Sequence, residues 1–233
     1  MNASRREFLG MLGGAAGLPL AGRIASAFPR SGGSILPRAA GTPQEPAGGG
    51  KVGYAIVGLG RISMGQFMPG VKAAGQRSEI TALVSGHPDK AARVAAQYGV
   101  PRNAIYNYQN YEQIAHNPNI DAVYIALPNG MHAEYTIRAA QSGKHVLCEK
   151  PMANSVAECQ QMIDACKKAQ RKLMIAYRCR LEPTNLRAVQ LIRDGYVGKL
   201  EIIDTGFGFT IASGEWRLNR KMAGGGPMVD VGI

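Results

Sequence analysis

Residues 54–63, Tyr-Ala-Ile-Val-Gly-Leu-Gly-Arg-Ile-Ser, constrain the fold more than any other stretch of the 233-residue chain. An apolar run (Tyr54, Ala55, Ile56, Val57) stops at Gly58-Leu59-Gly60, and helix-compatible sequence follows. A buried parallel strand hands over in this way to a helix whose N-terminus can hold a pyrophosphate. Gly58 permits the tight turn, and Gly60 lets the backbone approach phosphates without a Cβ in the way. The third position of the fingerprint is Ser63 where glycine is usual, so the turn alone does not establish a nucleotide site.

The next strand adds to it. Residues 79–84 read as a second strand that ends in Ser85-Gly86-His87-Pro88-Asp89-Lys90. An NAD site places an Asp or Glu at this tip to accept hydrogen bonds from the ribose 2′-hydroxyl. Here the tip carries Ser85, with no acid before Asp89. A neutral hydroxyl, Lys90 and Arg61 beside the glycine turn suit a 2′-phosphate, which favours NADP over NAD. Taken singly, Ser85 also reads as a turn starter and Lys90 as a solvated helix residue.

The two ends of the chain differ from the middle. Ser4-Arg5-Arg6-Glu7-Phe8-Leu9, an apolar Gly/Ala-rich run to Leu20 and Ala25-Ser26-Ala27 predict a twin-arginine export signal over 1–27. That run is shorter than the roughly 18 apolar residues that span a bilayer, and Pro19 interrupts it. The twin-arginine machinery carries folded proteins, so a cofactor could be loaded before export, and a periplasmic location follows as an expectation. Residues 28–50 are a Pro/Gly-rich arm or linker, with too little apolar surface to fold alone. No further hydrophobic span is visible, so no membrane association is expected after signal cleavage. At the other end the chain stops at Ile233, where an apolar segment has just begun, and it reads as incomplete.

The formal charge of +11 and pI near 9.7 raise the question of nucleic acid. The basic residues are dispersed and not interleaved with aromatics, which argues against a nucleic-acid footprint; an anionic cofactor and general surface charge account for the balance. Cys148, Cys159, Cys166 and Cys179 have neither zinc-site nor compact disulfide spacing, and all four read as buried thiols. No metal site is expected.

Strand and helix alternate: strand 51–57, helix 62–74, strand 79–84, helix 89–97, a short strand at Ile105-Tyr106 and a helix around 111–115. Strand 121–126, helix 131–141, strand 144–148, helix 155–170 and strand 173–177 complete the series. This alternation predicts an α/β fold, a Rossmann-type doubly wound parallel sheet over 51–178, with ligands at the carboxyl ends of its strands. Residues 179–233 read as the beginning of a C-terminal substrate and oligomerisation domain.

On that architecture Leu127-Pro128-Asn129 and Glu149-Lys150-Pro151 face a cofactor from adjacent strand tips. Asn129 also suits the N-cap of the helix after it, and His132 in that helix reads equally as a satisfied polar residue or a ligand contact. Lys150, held between an acid and a proline, can polarise a substrate oxygen or share its proton during hydride transfer. Without the surrounding strands it would read as a surface lysine in a turn.

These pieces together resemble the glucose–fructose oxidoreductase/inositol dehydrogenase (Gfo/Idh/MocA) superfamily, and within it the glucose–fructose oxidoreductase branch. The motifs are Gly58-Leu59-Gly60, Leu127-Pro128-Asn129-x-x-His132, Cys148-Glu149-Lys150-Pro151-Met152-Ala153, Trp216-Arg217-Leu218 and Gly224-Gly225-Gly226-x-x-x-Asp230. The resemblance implies that Arg61 and Ile62 flank the pyrophosphate turn, that Ser85 and Lys90 bind the 2′-phosphate, and that Tyr108 contacts the cofactor. It further implies that Leu127, Pro128, Asn129 and His132 line the nicotinamide side with Glu149 and Lys150 beside the ring, and that Arg178, Trp216 and Arg217 close over the cofactor. Asp230 matches a substrate-binding acid near the hydride-transfer centre; the family's catalytic tyrosine falls just past Ile233. Lys150 and Asp230 are the expected catalytic pair, and the full-length form is expected to be a homo-oligomer.

The function so implied is an NADP-dependent sugar oxidoreductase that takes hydride from an aldose C1 onto tightly bound NADP and passes it to a second sugar. A chain truncated before the tyrosine is expected to be inactive. Three alternatives stay open on the residues. They are a sugar dehydrogenase with exchangeable NAD(P), an NAD-dependent glycosidase, which Ser85 disfavours, and a non-catalytic nucleotide-binding protein, which retention of Lys150 and Asp230 disfavours.

Overall fold

The computed structural model describes residues 50–232. The segment 1–27 read as an export signal, nearly all of 28–50 read as an arm or linker, and Ile233 lie outside the described residues. Six strands, β1 (Val52–Val57), β2 (Ser78–Val84), β3 (Ile105–Tyr106), β4 (Ala122–Ile125), β5 (His145–Cys148) and β6 (Leu173–Ile175), form one sheet of order β3-β2-β1-β4-β5-β6. Every pairing is parallel. This is the doubly wound order, in which the chain reverses its direction of winding between β1 and β4. The central strands are buried on both faces: Ala55, Ile56, Val57, Val123 and Ile125 have no exposed surface. For that reason they read in sequence as continuous apolar runs instead of alternating ones.

The crossovers are helical. A π-helical turn, Ser63–Phe67, runs into α1 (Met68–Ala73), so the helix expected over 62–74 contains an irregular turn next to the glycines. After β2 comes α2 (Pro88–Tyr98), started by a proline in its first turn and stopped by Gly99 at φ 71°. The segment around 111–115, read as a helix, is a 3-10 helix, Tyr111–His116. Beyond β4 lies α3 (His132–Gln141), and beyond β5 lies α4 (Val156–Lys168). Ser155 caps α4, its Oγ accepting from the Glu158 N–H at 3.2 Å, while a Glu158 carboxylate oxygen accepts from the Asn154 N–H at 3.0 Å. Reciprocal caps of this kind stabilise a helix by about 1 kcal/mol. β6 ends at Ile175, short of the expected 177.

Aromatic packing joins the layers. The Phe67 ring stacks on Tyr124 of β4, with centroids 3.6 Å apart, and meets Tyr54 of β1 edge-on. Arg138 of α3 lies 4.8 Å from the ring centroids of both Tyr111 and Tyr135 and donates to Glu112, Glu134 and the Tyr108 carbonyl. None of the four cysteines is disulfide-bonded. Cys148 and Cys166 are buried as expected, but Cys159 is half-buried and Cys179 is exposed, because it follows the last strand and leaves the core.

Contacts divide the chain into two units. One runs through Cys179 and resumes at Glu201; the other contains Arg180–Leu200. Within the latter, α5 (Pro183–Arg193) buries Leu191. In the former, α6 (Arg220–Ala223) and α7 (Pro227–Asp230) follow a 3-10 turn, Trp216–Leu218. No helix among the described residues is long and apolar enough to cross a membrane.

Candidate functional site

The reversal between β1 and β4 opens a crevice at the carboxyl ends of the strands, where ligands bind in sheets of this kind. Gly58 ends β1 at φ 90°, and a Cβ there would lie 2.5 Å from the Ala126 carbonyl oxygen, so glycine is required both by conformation and by space. Gly60 differs: a Cβ there would meet nothing of the protein within 4 Å. The protein itself does not need a glycine at that point, whereas a phosphate lying against the backbone does. Ser63, the departure from the usual third glycine, is fully buried, and its Oγ donates to the Gly58 carbonyl at 2.6 Å. A serine therefore closes the turn from inside. The N–H groups that open this helix have no partners within it, which leaves them for an anion.

At the β2 tip, Ser85 is buried and its Oγ accepts from the His87 N–H at 3.1 Å. It is thus the turn-former that one reading expected, and it stands where an NAD site carries an acid. Lys90 is half-buried in the first turn of α2. Tyr108 packs over Gly86, so close that a Cβ on Gly86 would come within 3.1 Å of its ring. Ser85, Lys90 and Tyr108 are thereby gathered at one strand tip.

The β4 tip corrects one expectation. Asn129 does not cap α3; a 3-10 turn, Asn129–Met131, intervenes, and no side chain caps the helix. The buried Asn129 amide instead donates to the Ala223 carbonyl at 3.0 Å, attaching α6 to this tip. His132 is 1% exposed, with Nδ1 2.7 Å from the Pro151 carbonyl oxygen and Nε2 2.9 Å from that of Leu127. With both nitrogens on backbone oxygens, the ring braces the two tips and has no polar atom left for a ligand.

At the β5 tip, Glu149 accepts from the Tyr124 hydroxyl at 2.7 Å and from the Lys150 N–H at 3.2 Å. Burial, together with the Glu149 charge and hydrogen bond, pushes the Tyr124 phenol far above its ordinary range, so it stays a donor. The Lys150–Pro151 peptide is cis. Lys150 Nζ donates to Asp230 Oδ1 at 2.9 Å and to the Asp230 carbonyl, and Arg217 Nε donates to Asp230 Oδ2 at 3.0 Å. Burial pushes the Asp230 carboxyl upward, but the hydrogen bonds and charges of Lys150 and Arg217 prevail and hold it below the usual carboxylate range.

The Arg217 guanidinium lies 4.3 Å from the Trp216 ring centroid. Glu215 accepts from Arg61 at 2.7 Å and from Arg217 at 3.4 Å. A line of alternating charges, Arg61–Glu215–Arg217–Asp230–Lys150, therefore joins the glycine turn to the β5 tip. Ile62 and Arg178, with Phe67, Tyr124 and Glu149, line a cavity of about 420 Å³ beside the π-helical turn and α1.

These residues fit a dinucleotide. Gly58, Gly60 and the helix start would hold its pyrophosphate, Ser85 and Lys90 its adenosine ribose, and Leu127, Pro128, Glu149 and Lys150 would flank the redox ring. Bound there, a nicotinamide supplies the hydride acceptor or donor. The protein's own part is a lysine ammonium and an ionised carboxylate set at one point of the crevice, able to hold and move a substrate hydroxyl proton. Sequence reasoning missed Tyr124 and Glu215. A tyrosine in an otherwise aliphatic strand was a usable signal for the first; nothing marked the second. No group of His, Cys, Asp and Glu among the described residues could hold a metal ion.

The chain is similar to several known proteins. D-xylose 1-dehydrogenase [NADP(+)] of Haloarcula marismortui is 36% identical over 82% of the chain and 54% of its own length. D-xylose 1-dehydrogenase (NADP(+)) 2 of Haloferax volcanii is 35% identical over 77% of the chain and 53% of its own length. The crystal structure of aldose-aldose oxidoreductase from Caulobacter crescentus superposes with a TM-score of 0.73 at 49% identity, over 77% of the chain and 54% of that protein. The chain thus spans about half the length of the curated relatives it matches. Residues 52–177, more than half of the sequence, match the model of an oxidoreductase family with an NAD-binding Rossmann fold, and the winding order and glycine turn are those that such a fold requires. The chain belongs to the Gfo/Idh/MocA oxidoreductase family.

Proposed function

We propose that the chain provides the dinucleotide-binding and proton-handling part of an NADP-dependent sugar oxidoreductase, nearest in kind to glucose–fructose oxidoreductase. Hydride leaves an aldose C1, which becomes a lactone, passes to NADP, and is returned to a second sugar. The observation that carries this reading is the Lys150–Asp230 pair. An ammonium 2.9 Å from an ionised carboxylate, one residue past the Glu149 that ends the β5 tip, is what a hydroxyl losing both hydride and proton needs. A protein that only bound a nucleotide would have no use for it. NADP is favoured by Ser85 and Lys90 at the β2 tip, and the NADP-linked names of two relatives support it. Transfer between two sugars draws support from the printed name of the Caulobacter structure.

The division into a dinucleotide-binding domain over 51–178 and a substrate domain beginning at 179 belongs to the same proposal. So does twin-arginine export to the periplasm, which rests on Arg5-Arg6 and Ala25-Ser26-Ala27. The full-length form, once purified, should release NADP(H) on denaturation, and addition of an aldose should reduce its bound NADP. Soundly folded protein that carries no nucleotide but reduces added NADP would point to an exchangeable-cofactor dehydrogenase. Turnover of a nitrophenyl glycoside without net redox change would point to a glycosidase.

A further inference from the structure

We propose, building on the role given to Lys150, that His132 is a positioning residue whose ring carries both protons and uses both to tie the β4 tip to the β5 tip. A carbonyl oxygen only accepts, and a neutral imidazole has one N–H and one lone pair. Yet both ring nitrogens lie within hydrogen-bond distance of a carbonyl oxygen, 2.7 Å from Pro151 and 2.9 Å from Leu127. A neutral ring would satisfy one of them and turn its lone pair on the other. The doubly protonated ring satisfies both.

The two carbonyls are well placed for a brace. Leu127 lies against the glycine turn, its Cδ2 2.9 Å from where a Cβ on Gly58 would stand. Pro151 directly follows Lys150, so fixing its carbonyl fixes the backbone from which the lysine reaches Asp230. The ring is 1% exposed. The charged groups that act on it are Glu149, which favours the cation, and Lys150, which opposes it. Burial holds the His132 pKa below its ordinary value although the two carbonyls raise it; it is the two facing carbonyls, each needing a donor, that call for the second proton.

Nitrogen-edited NMR of the histidine-labelled chain tests this without cofactor or sugar. Only His132 of the four histidines is buried, so its ring protons are the ones protected from exchange. Two protected, downfield ring N–H signals are expected at neutral pH; a single one overturns the proposal. The positioning role is read from His132→Gln, whose amide has donors at one end only. In the full-length form hydride transfer should slow about tenfold or more, as misplacement of a reacting group does, while NADP(H) affinity stays within about threefold. An unchanged transfer rate would overturn the positioning role. Failure of the wild-type chain to bind NADP(H) would defeat the proposed function alone, because the count of ring protons needs no ligand.

Discussion

Replacing Lys150 by methionine keeps an unbranched side chain, one atom shorter, and removes its charge. Two consequences of different size follow. Asp230 loses the donor at 2.9 Å but keeps Arg217 at 3.0 Å. A buried carboxylate stripped of all partners would cost several kcal/mol. Here one cation remains, and the lysine side chain is one-third exposed, so its pair is partly screened. A stability loss of about 1–2 kcal/mol is expected. The chemical step loses more: a positioned proton-transfer group contributes about 10²–10⁴ in rate, or roughly 3–5 kcal/mol of barrier. The variant therefore stays folded while its chemistry fails. Denaturant unfolding measures the first effect, and single-turnover reduction of bound NADP by an aldose, in the full-length form, measures the second. NADP affinity should hardly change, since Lys150 reaches Asp230 and not the glycine turn. A variant that lost stability but reduced NADP at near wild-type rate would refute the reasoning and make Lys150 a scaffold lysine.

The same pair sets an acid dependence. The Asp230 carboxyl is held below its ordinary value, so its contribution to stability is complete above the unfolded value of about 3.9 and is lost as pH falls through the folded value. Acid unfolding of Lys150→Met should begin at higher pH than in the wild type, which circular dichroism across a pH series checks. Ser85→Asp should install the ribose acceptor and repel a 2′-phosphate, lowering the NADP/NAD affinity ratio by at least about tenfold, given about 1.5–3 kcal/mol per charge-assisted hydrogen bond. Calorimetric titration with both nucleotides measures it, and an unchanged ratio places the phosphate elsewhere. Gly60→Ala should leave the melting temperature nearly unchanged, because its Cβ meets no protein atom within 4 Å, yet weaken dinucleotide binding about tenfold or more. Gly58→Ala should instead destabilise the fold by about 1–3 kcal/mol, at φ 90° and against the Ala126 carbonyl; equal melting temperatures for the two variants would contradict the assignment. Ser63→Ala should cost about 1–2 kcal/mol by leaving the Gly58 carbonyl without its donor in a buried place.

Strand positions and the glycine turn were legible in the residues because they depend on local signals. Continuous apolar runs such as 54–57 and 121–126 mark strands covered on both faces, and Gly58 and Gly60 interrupt them where a turn must be made. The strand tips followed, and with them Ser85, Glu149 and Lys150 as residues that face a crevice. What sequence could not supply was the partner of each polar group, since those partners lie far along the chain. Asn129 suited a local helix cap, but its amide is drawn 94 positions away to Ala223. His132 read equally as a satisfied polar residue or a ligand contact, and only the fold sets its ring between two carbonyls. Glu215 carried no signal at all, because an acid before Trp216 means nothing until folding sets it 2.7 Å from Arg61. Hydrophobic periodicity is written one turn or one strand at a time, whereas a buried polar atom must find its match wherever the packed chain places one.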